Sequence, residues 1–369
     1  MDIISKDKFL LITNITEYKK CNDCGLVKQI NEFYNRSNLG RLSSYCKNCQ
    51  IQRNNNYLRT FDGFFSHLAK GMQNSANKRL YLGRINAGDC IIDNLYLIGL
   101  FNWQQGRCFY SGIQMITQPH SSWKASPERL NNDLGYIPGN VVLICLEFNT
   151  TGLGWSRNKV ISIPNLINQS IDLDQLRKEI DESRKRPKNK PKSAYRIITL
   201  HVFYDDGSEE LECRKCHQLK RIDQFAKNHK DGCKNCRSIH NQNYANTLRG
   251  FLKNLLRSAM KSIKCSESRI QRGLQFNLTL NDLCDMILEQ EGRCYYSGIP
   301  LVFKPLNHWK CSIERINNII GYTRENCRLI CIEFNSTDHT INAKSEVIGS
   351  SQWSKEKFQY FLTHIMNTN

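Results

Sequence analysis

The chain has 369 residues, of which 40% are hydrophobic, and its 52 Lys and Arg against 34 Asp and Glu give a net charge of +18. This length allows two to four small domains, and the charge favours a polyanionic partner, most simply nucleic acid, with an anionic membrane surface as the alternative. No stretch approaches the roughly 20 apolar residues of a membrane-spanning helix, and we expect no secretory signal in the opening MDIISKDKFLL.

Residues 1–59 contain four cysteines in two Cys-x-x-Cys pairs. Cys21 and Cys24 form one pair, and Cys46 and Cys49 form the other. Two such pairs can present four thiolates tetrahedrally to Zn²⁺, and a structural zinc site has all four positions filled by protein. The spacing therefore predicts a zinc-ribbon module at 1–59. Small zinc modules with basic loops commonly anchor nucleic acid, and a purely structural role is the alternative.

Residues 60–180 predict a domain of helices followed by a β-hairpin. The stretches GFFSHLAKGMQNSANKRLYLGR and IIDNLYLIGLFNWQQGRC carry apolar residues at helical spacing. A β-prone run, GIQMI, precedes the segment SPERLNNDLGYIPGNVVLICLEFN at 126–149, which contains a second such run, NVVLIC. We expect a small hairpin here, with a helix beginning near Asn149 and with Trp123 packed in the core or the hairpin.

Residues 181–196 are rich in Lys, Arg and Pro and poor in apolar residues, which predicts a solvated linker. The basic run at 184–192 also resembles a nuclear-localisation signal. Of the 17 cysteines, eight lie in Cys-x-x-Cys pairs, which suits metal thiolates better than disulfides. A reducing, intracellular setting follows, with the cytosol and the nucleus both open.

Residues 197–247 predict a second zinc-ribbon module, which opens with a hairpin around Asp206-Gly207. Its four cysteines are Cys213, Cys216, Cys233 and Cys236. The loops between the two pairs differ, with 21 residues in the first module and 16 in the second, as expected if the metal holds the pairs and leaves the loop free. Because four cysteines complete a zinc shell, we expect His217 and His240 at the surface.

Residues 248–369 predict a second domain of the same kind as 60–180. Two helical stretches, the second with Thr279 or Asn281 as its N-cap, lead into a β-prone run, GIPLVF. Then SIERINNIIGYTRENCRLICIEFN at 312–335 matches 126–149 at 14 of 24 positions without a gap. Trp309, like Trp123, is expected to pack in the core. The repetition predicts an α+β protein of two tandem repeats, each with a four-cysteine module and a helical and hairpin domain.

The two 24-residue motifs resemble the HNH nuclease pattern, in its recombination-endonuclease-VII-like branch. That pattern runs Asp-His, a turn with Gly, a mid-motif Asn, an apolar strand, then Cys-x-x-Cys-Asn opening a helix. The specific similarity covers Cys108–Asn149 and Cys294–Asn335. It implies a ββα-metal core in each repeat, Mg²⁺-dependent hydrolysis of DNA phosphodiester bonds and double-stranded DNA as partner.

The resemblance assigns a role to four positions in each copy. The Asp before the catalytic His corresponds to Glu128 and Glu314, the His itself to Arg129 and Arg315, the orienting mid-motif Asn to Asn140 and Asn326, and the last metal ligand to Asn149 and Asn335. Carboxylate and amide oxygens are hard ligands that suit Mg²⁺, which would stabilise charge on a scissile phosphate. An arginine at the His position can hold that phosphate with both guanidinium nitrogens.

The absence of the family's histidine is the main departure from its pattern. Arginine does not lose its proton in proteins, so it cannot act as the general base. Either a metal-bound hydroxide attacks without a side-chain base, or His120 or His308 supplies one, although these two histidines do not align with each other. His339 follows Asn335 by one helical turn, which resembles the end of many HNH motifs and favours the second copy if only one cuts DNA.

Other positions also differ from the family or have two interpretations. The family's second zinc site keeps only two of its four ligands in each copy, so we expect no zinc there and expect the cysteines to pack as small hydrophobes. These survivors are Cys108 and Cys145 in the first copy and Cys294 and Cys331 in the second. Glu147 and Glu333 either assist the catalytic metal or interact with a helix dipole.

A metal-dependent endonuclease is the function that these features favour. The alternative is a catalytically inactive nucleic-acid-binding protein, because both copies replace the family's histidine. A zinc-organised module that binds acidic proteins would account for the charge but not for the polar residues kept in both copies.

Overall fold

The computed structural model describes residues 18–36, 40–84, 88–149, 154–185, 200–227, 232–336 and 352–368. Over these ranges the chain is a mixed α+β protein with small sheets of two or three strands. It divides into two compact units, one formed by residues up to Arg107 with Gln114–Ile144, the other by Cys108–Ile113 with residues from Cys145 onward. Within the described ranges, no helix combines the length and the apolar composition needed to cross a membrane.

The first unit consists of two short hairpins, three helices and a further strand pair. The elements are β1 (Tyr18–Lys20), β2 (Val27–Gln29), β3 (Phe33–Arg36), β4 (Arg41–Cys46), α1 (Lys47–Arg59), α2 (Phe61–Tyr81), α3 (Asn94–Trp103), β5 (Ala125–Arg129) and β6 (Val141–Cys145), whose last residue belongs to the second unit. The two helices predicted from their apolar spacing correspond to α2 and α3.

Capping and aromatic packing explain where these helices begin and what they bury. The Thr60 side chain accepts a hydrogen bond from the backbone N–H of Gly63 and so caps α2. The Asp93 side chain does the same for α3 through the N–H of Tyr96. The two helices then pack through phenylalanines, with the Phe65 and Phe101 rings edge-to-face at 5.4 Å.

The second unit contains most of the helices. After β6 and the 3₁₀ turn Leu146–Phe148, its elements are α4 (Arg157–Ile161), α5 (Ile163–Ile167), α6 (Leu173–Arg184), β7 (His201–Phe203), β8 (Glu209–Glu212), β9 (Leu219–Arg221), α7 (Lys234–Ala245), α8 (Leu248–Lys264), α9 (Glu267–Gln271), α10 (Leu280–Glu289), β10 (Cys311–Arg315), β11 (Cys327–Cys331), the 3₁₀ turn Ile332–Phe334 and α11 (Lys355–Thr368). The predicted hairpin around Asp206-Gly207 is confirmed, because β7 and β8 pair on either side of it.

Thr279 is the N-cap of α10. Its hydroxyl accepts from the backbone N–H of Asp282 while the Asp282 carboxylate accepts from the backbone N–H of Thr279, which forms a capping box. This decides between the two N-caps that the sequence allowed, Thr279 and Asn281. α8 begins in the same manner as α2, with Thr247 accepting from the N–H of Gly250.

The hairpin of β10 and β11 carries the second motif. Its register places Cys311 opposite Cys331 and Glu314 opposite Arg328. Gly321 follows in the connecting loop, and a Cβ there would collide with the backbone of Gln275. The loop can therefore approach a neighbouring segment closely only because this residue is glycine. Gly135 has the same relation to the backbone of Asp89 in the first unit.

One local expectation differs from the structure. The β-prone runs GIQMI and GIPLVF form isolated bridges rather than strands, because each run pairs at two points with two different segments. In the second run, Pro300 pairs with Arg293 and Val302 with Lys310. At the end of the first motif, the 3₁₀ turn Leu146–Phe148 precedes Asn149. The expected helix near Asn149 falls on residues 150–153, which lie outside the described ranges, and the next described helix begins at Arg157. The predicted domain boundaries remain a prediction.

Candidate metal centres and candidate active site

The structure brings together both sets of four cysteines. In each set the four sulfur atoms lie within 4.8 Å of one another, the spacing needed to surround one metal ion. The first set is Cys21, Cys24, Cys46 and Cys49, and the second is Cys213, Cys216, Cys233 and Cys236. Within the described ranges, no other group of three or more His, Cys, Asp or Glu side chains converges in this way. Each set can hold a zinc ion.

Helices and turns position these thiols. α1 begins directly after Cys46 and α7 directly after Cys233, so the second pair of each set lies at a helix N-terminus, where thiolate is favoured. After the first pair, the backbone turns through the left-handed region, at Gly25 (φ +71°) and at His217 (φ +55°). His217 is exposed, as expected, and its position in the turn is one that glycine occupies in the first module.

Backbone donors favour the thiolate form of one buried cysteine in each set. Burial opposes ionisation of Cys21, but N–H groups such as that of Cys46, 3.3 Å from its Sγ, lower its pKa to about 6. Cys213 has the same surroundings, with the Cys233 N–H at 3.2 Å, and its pKa is also lowered to about 6. Since zinc binds thiolates, this donor set fits the metal.

Glu314 and Asn335 are two of the predicted ligands. Glu314 lies on β10, and Asn335 contacts the same strand. Glu314 is fully buried on β10, where the Tyr296 hydroxyl donates to its Oε1 at 3.4 Å. Asn335 Nδ2 donates to the Ser312 hydroxyl at 2.8 Å and to the Ile313 carbonyl at 3.0 Å. Because Ser312 and Glu314 are two residues apart on one strand, they share a face, and the Asn335 amide lies against that face.

In the first motif, Glu128 lies half-buried on β5, and Asn149 lies directly after the 3₁₀ turn Leu146–Phe148. Burial raises the pKa of Glu128 to about 7, and the neighbouring Arg129 only partly opposes that effect. A carboxyl group with a pKa near neutrality is a common feature of functional sites and also occurs in structural networks.

Arg129 and Arg315 brace the loops that follow their own strands. The Arg315 guanidinium donates to the carbonyls of Asn318 and Ile320 and to the Asn318 side chain, at 3.1 to 3.2 Å. It also lies 5.2 Å above the Tyr322 ring. Arg129 makes the corresponding bonds in the first motif, to Asn132 and Leu134. Their terminal nitrogens are thus already engaged, and a bidentate phosphate contact would have to displace these bonds.

Asn140 and Asn326 hold the same loops from inside. Asn326 accepts from the N–H of Asn317 at 2.8 Å and donates to the carbonyls of Asn317 and Gly321. Asn140 makes the equivalent bonds in the first motif, to Asn131 and Gly135. Each amide therefore closes the loop between the two strands of its hairpin, and the orienting role implied for these asparagines remains a prediction.

The cysteines that the resemblance aligns with a second zinc site are buried. The Cys145 N–H donates to Cys108 Sγ at 3.3 Å, and the Cys331 N–H donates to Cys294 Sγ at 3.3 Å. Ser297 follows Cys294 by three residues, and its hydroxyl accepts a hydrogen bond from the backbone N–H of Ile299. These thiols pack within the protein interior, in the manner expected of small hydrophobic side chains.

Glu147 and Glu333 are each paired with a lysine, which neither earlier interpretation anticipated. Lys159 Nζ lies 2.8 Å from Glu333 Oε1, and Lys357 Nζ lies 2.5 Å from Glu147 Oε1. All four side chains are nearly or fully buried. Both lysines end a Trp-Ser-x-x-Lys pattern, WSRNK at 155–159 and WSKEK at 353–357, and this repetition singles out the lysines although it does not select their glutamate partners.

An aromatic cluster lies beside the Lys159–Glu333 pair in the second unit. The Trp155 and Trp353 rings stack at 6.3 Å, and each also contacts both Phe148 and Phe334. Trp309 completes the cluster and is buried, as predicted, with Lys159 Nζ 4.8 Å from its ring centroid.

The candidate histidines His308 and His120 lie in different surroundings. His308 Nδ1 lies 3.0 Å from Lys159 Nζ and 3.7 Å from Glu333, next to the buried ion pair. His120 lies in a left-handed turn (φ +58°), and its aligned partner Leu306 adopts the same conformation (φ +55°), so the turn does not require a histidine. His339 lies outside the described residues.

No family model matches the chain, and no solved structure matches it. The chain is 28% identical over 108 residues to the uncharacterised protein R423 of Acanthamoeba polyphaga mimivirus. The aligned segment makes up 29% of this chain and 19% of that protein, so the match spans less than a fifth of the relative's length.

Proposed function

We propose that the chain is a metal-dependent endonuclease that hydrolyses DNA phosphodiester bonds, with two ββα-metal cores in tandem and two four-cysteine modules that anchor nucleic acid. The observation that supports this most directly is the Asn335 amide lying against the face of β10 that carries Glu314. The two residues come from separate parts of one hairpin motif, the one that resembles the HNH pattern.

The donor set fits a hard divalent cation. In this proposal Glu314 and Asn335, with Glu128 and Asn149 in the first motif, hold Mg²⁺ through carboxylate and amide oxygens. The bound cation would stabilise the charge that develops on the scissile phosphate. The buried position of Glu314 beside the Tyr296 hydroxyl keeps its carboxylate in one orientation, which a metal ligand requires.

Arg129, Arg315, Asn140 and Asn326 act as positioning residues in this proposal. Their hydrogen bonds close the loop between the two strands of each hairpin and so orient the strand that carries the glutamate. Because arginine cannot accept a proton, the attacking water loses its proton to solvent or to a histidine such as His308.

A catalytically inactive nucleic-acid-binding protein is the second candidate function. The specific observation in its favour is that both motifs place an arginine where the family has its base, and that both arginines are used to brace a loop. The net charge of +18 serves binding equally well without hydrolysis.

A plasmid-nicking assay tests the proposal. Zinc-loaded protein is incubated with supercoiled plasmid and Mg²⁺, beside the variants Glu314→Gln, Glu128→Gln and the double variant. We expect wild type to nick the plasmid and the double variant to lose about 100-fold or more of that rate. Glu325→Gln is the matched control and should cut normally. It changes an exposed glutamate that lies in the loop of the second motif and outside the proposed ligand set.

Two results would contradict the nuclease proposal. Nicking by the double variant at the wild-type rate would mean that the glutamates do not form the site. Binding of plasmid by wild type without any nicking, across Mg²⁺ concentrations, would select the inactive nucleic-acid-binding protein.

A further inference from the structure

The second four-cysteine module contains a surface cavity of about 490 Å³ beside its cysteine pairs. We call it the module cavity; the residues that the argument uses are Lys215, Gly232, Arg237, Ile239, His240 and Asn241. Its volume lies in the range of small-ligand sites. Most of these residues lie on α7, which begins at the second cysteine pair.

The first module uses the corresponding positions differently. Arg53 Nη1 forms an ion pair with Asp23 at 3.1 Å, and the Arg53 guanidinium lies 4.4 Å from the centroid of the Tyr45 ring. The Arg53 side chain therefore contacts both Asp23 and Tyr45 across the face of the first module. Aligned on the cysteines, Asp23, Tyr45 and Arg53 correspond to Lys215, Gly232 and His240. The second module thus lacks the ring and the ion pair and has an open cavity.

The lining of the module cavity is positively charged. Lys215 and Arg237 both line it, and among the residues that the structure describes none of its lining residues is acidic. Arg237 replaces Gln50 of the first module, and Lys215 replaces an aspartate, so both differences add positive charge. The module as a whole is nearly neutral, with eight basic and seven acidic residues in 200–247, so this charge is local to the cavity.

We propose that the module cavity binds one nucleotide of an unpaired nucleic-acid strand. Lys215 and Arg237 would contact the phosphate, since two cations that line one cavity favour an anion there. Ile239 offers an apolar wall to the face of the base, and the Asn241 amide can reach a base edge that is exposed only when the base is unpaired. This inference rests on the proposed nucleic-acid function and names the strand form that the second module recognises.

The first module supplies the substitutions for a direct test. The triple variant Lys215→Asp/Gly232→Tyr/His240→Arg introduces the three contacting side chains of the first module and should fill the cavity. Affinity for a fluorescein-labelled 12-nucleotide single strand is measured by anisotropy with the full, zinc-loaded chain. We expect about tenfold weaker binding of the single strand and less than twofold change for the matching duplex.

A milder pair of variants guards against misfolding of the triple variant. Arg237→Gln removes one cation from the cavity, and Arg221→Gln makes the same chemical change on exposed β9, outside the cavity. In both cases the new residue is the one that the first module carries. Arg237→Gln should weaken single-strand binding about threefold and lower the salt dependence, and Arg221→Gln should change it less than twofold.

Zinc content of two ions per chain confirms that each variant is folded at its cysteines. Equal effects of Arg237→Gln and Arg221→Gln, or equal losses for single strand and duplex, would overturn the module-cavity proposal. Plasmid nicking is measured on the same proteins. Loss of the cavity effect with nicking intact would refute only this inference, whereas a cavity effect without any nicking would refute only the nuclease proposal.

Discussion

Arg315 stands where the resembled motif has its general base, and its guanidinium is committed to the loop that follows its strand. Three hydrogen bonds and a contact with the Tyr322 ring hold it there, and the side chain is 3% exposed. A planar fork that bonds several carbonyls cannot be copied by an ammonium group. The same arrangement around Arg129 means that this position serves loop geometry in both motifs.

We therefore expect Arg315→Lys to destabilise the protein by about 2 kcal/mol, because the bidentate bonds to the loop are lost while the charge remains. Urea unfolding of zinc-loaded protein measures the change. Arg177→Lys, at an exposed position on α6, is the control and should lie within about 0.5 kcal/mol of wild type. A free energy of unfolding unchanged by Arg315→Lys would show that its bonds to the loop contribute nothing.

Glu128 gives a pH-dependent prediction. Burial raises its pKa to about 7, so the folded state holds a proton that the unfolded state releases near pH 4.5. The stability contributed by this protonated carboxyl is complete below pH 4.5 and is lost as the pH rises through 7. Without Mg²⁺, Glu128→Gln should therefore gain about 1 kcal/mol over wild type between about pH 5 and about pH 8, a figure reduced for partial exposure.

The control for this measurement is Glu325→Gln, which makes the same chemical change at an exposed position of the second motif. Urea unfolding at the lower and the higher pH supplies the free energies. A constant difference between Glu128→Gln and wild type at the two pH values would refute the raised pKa.

At the scale of elements, the two four-cysteine modules are built from the same parts: a turn after the first cysteine pair and a helix that begins at the second pair. The sulfur atoms converge in both, although their loops differ in length. Small modules of this size have little apolar core, as the few buried residues around Phe33 and Phe225 show. Metal binding is therefore expected to supply much of their folding free energy.

Cys213→Ser should reduce bound zinc from two ions per chain to one, because it removes one of four thiolates from a closed tetrahedral site. Cys294→Ser changes one of the buried cysteines that the resemblance aligns with a second zinc site, and it should leave two ions bound. Zinc is measured by a chromogenic chelator after the purified proteins are unfolded. Loss of one ion from Cys294→Ser would show that the buried cysteines of the second motif also bind metal.

At the scale of the whole molecule, two buried ion pairs join distant parts of the chain within the second unit. Lys159, which follows the first motif, reaches Glu333 at the end of the second, and Lys357, on α11, reaches Glu147 at the end of the first. The segment that follows each motif thus completes the surroundings of the glutamate of the other motif. Buried carboxylates are costly without a partner, so each lysine is required for that arrangement.

Lys159→Met should accordingly destabilise the protein by about 3 kcal/mol, because it leaves Glu333 charged and buried. Adding Glu333→Gln should recover most of that loss, since the neutral amide needs no cation. Arg177→Ala breaks an exposed ion pair with Asp174 and should cost less than about 1 kcal/mol. A double variant as unstable as Lys159→Met alone would mean that lost packing, rather than the unpaired charge, causes the effect.

The amino-acid sequence by itself determined the features that depend on local spacing: the two cysteine clusters, the principal helices and the hairpin at Asp206-Gly207. These follow from periodicity, capping and ligand spacing within a few turns of chain. Only the tertiary structure decided which partners the buried charges of the two motifs have. Lys159 and Glu333 are 174 residues apart, and nothing in either local pattern selects the other.

For the candidate active site, too, some features follow from the sequence and others only from the tertiary structure. The Glu and Asn positions of each motif were proposed from sequence similarity, but the burial of Glu314 and the module cavity depend on packing between separate segments of the chain. Burial is a property of surroundings that other parts of the chain provide, so a residue's own neighbours in sequence do not specify it.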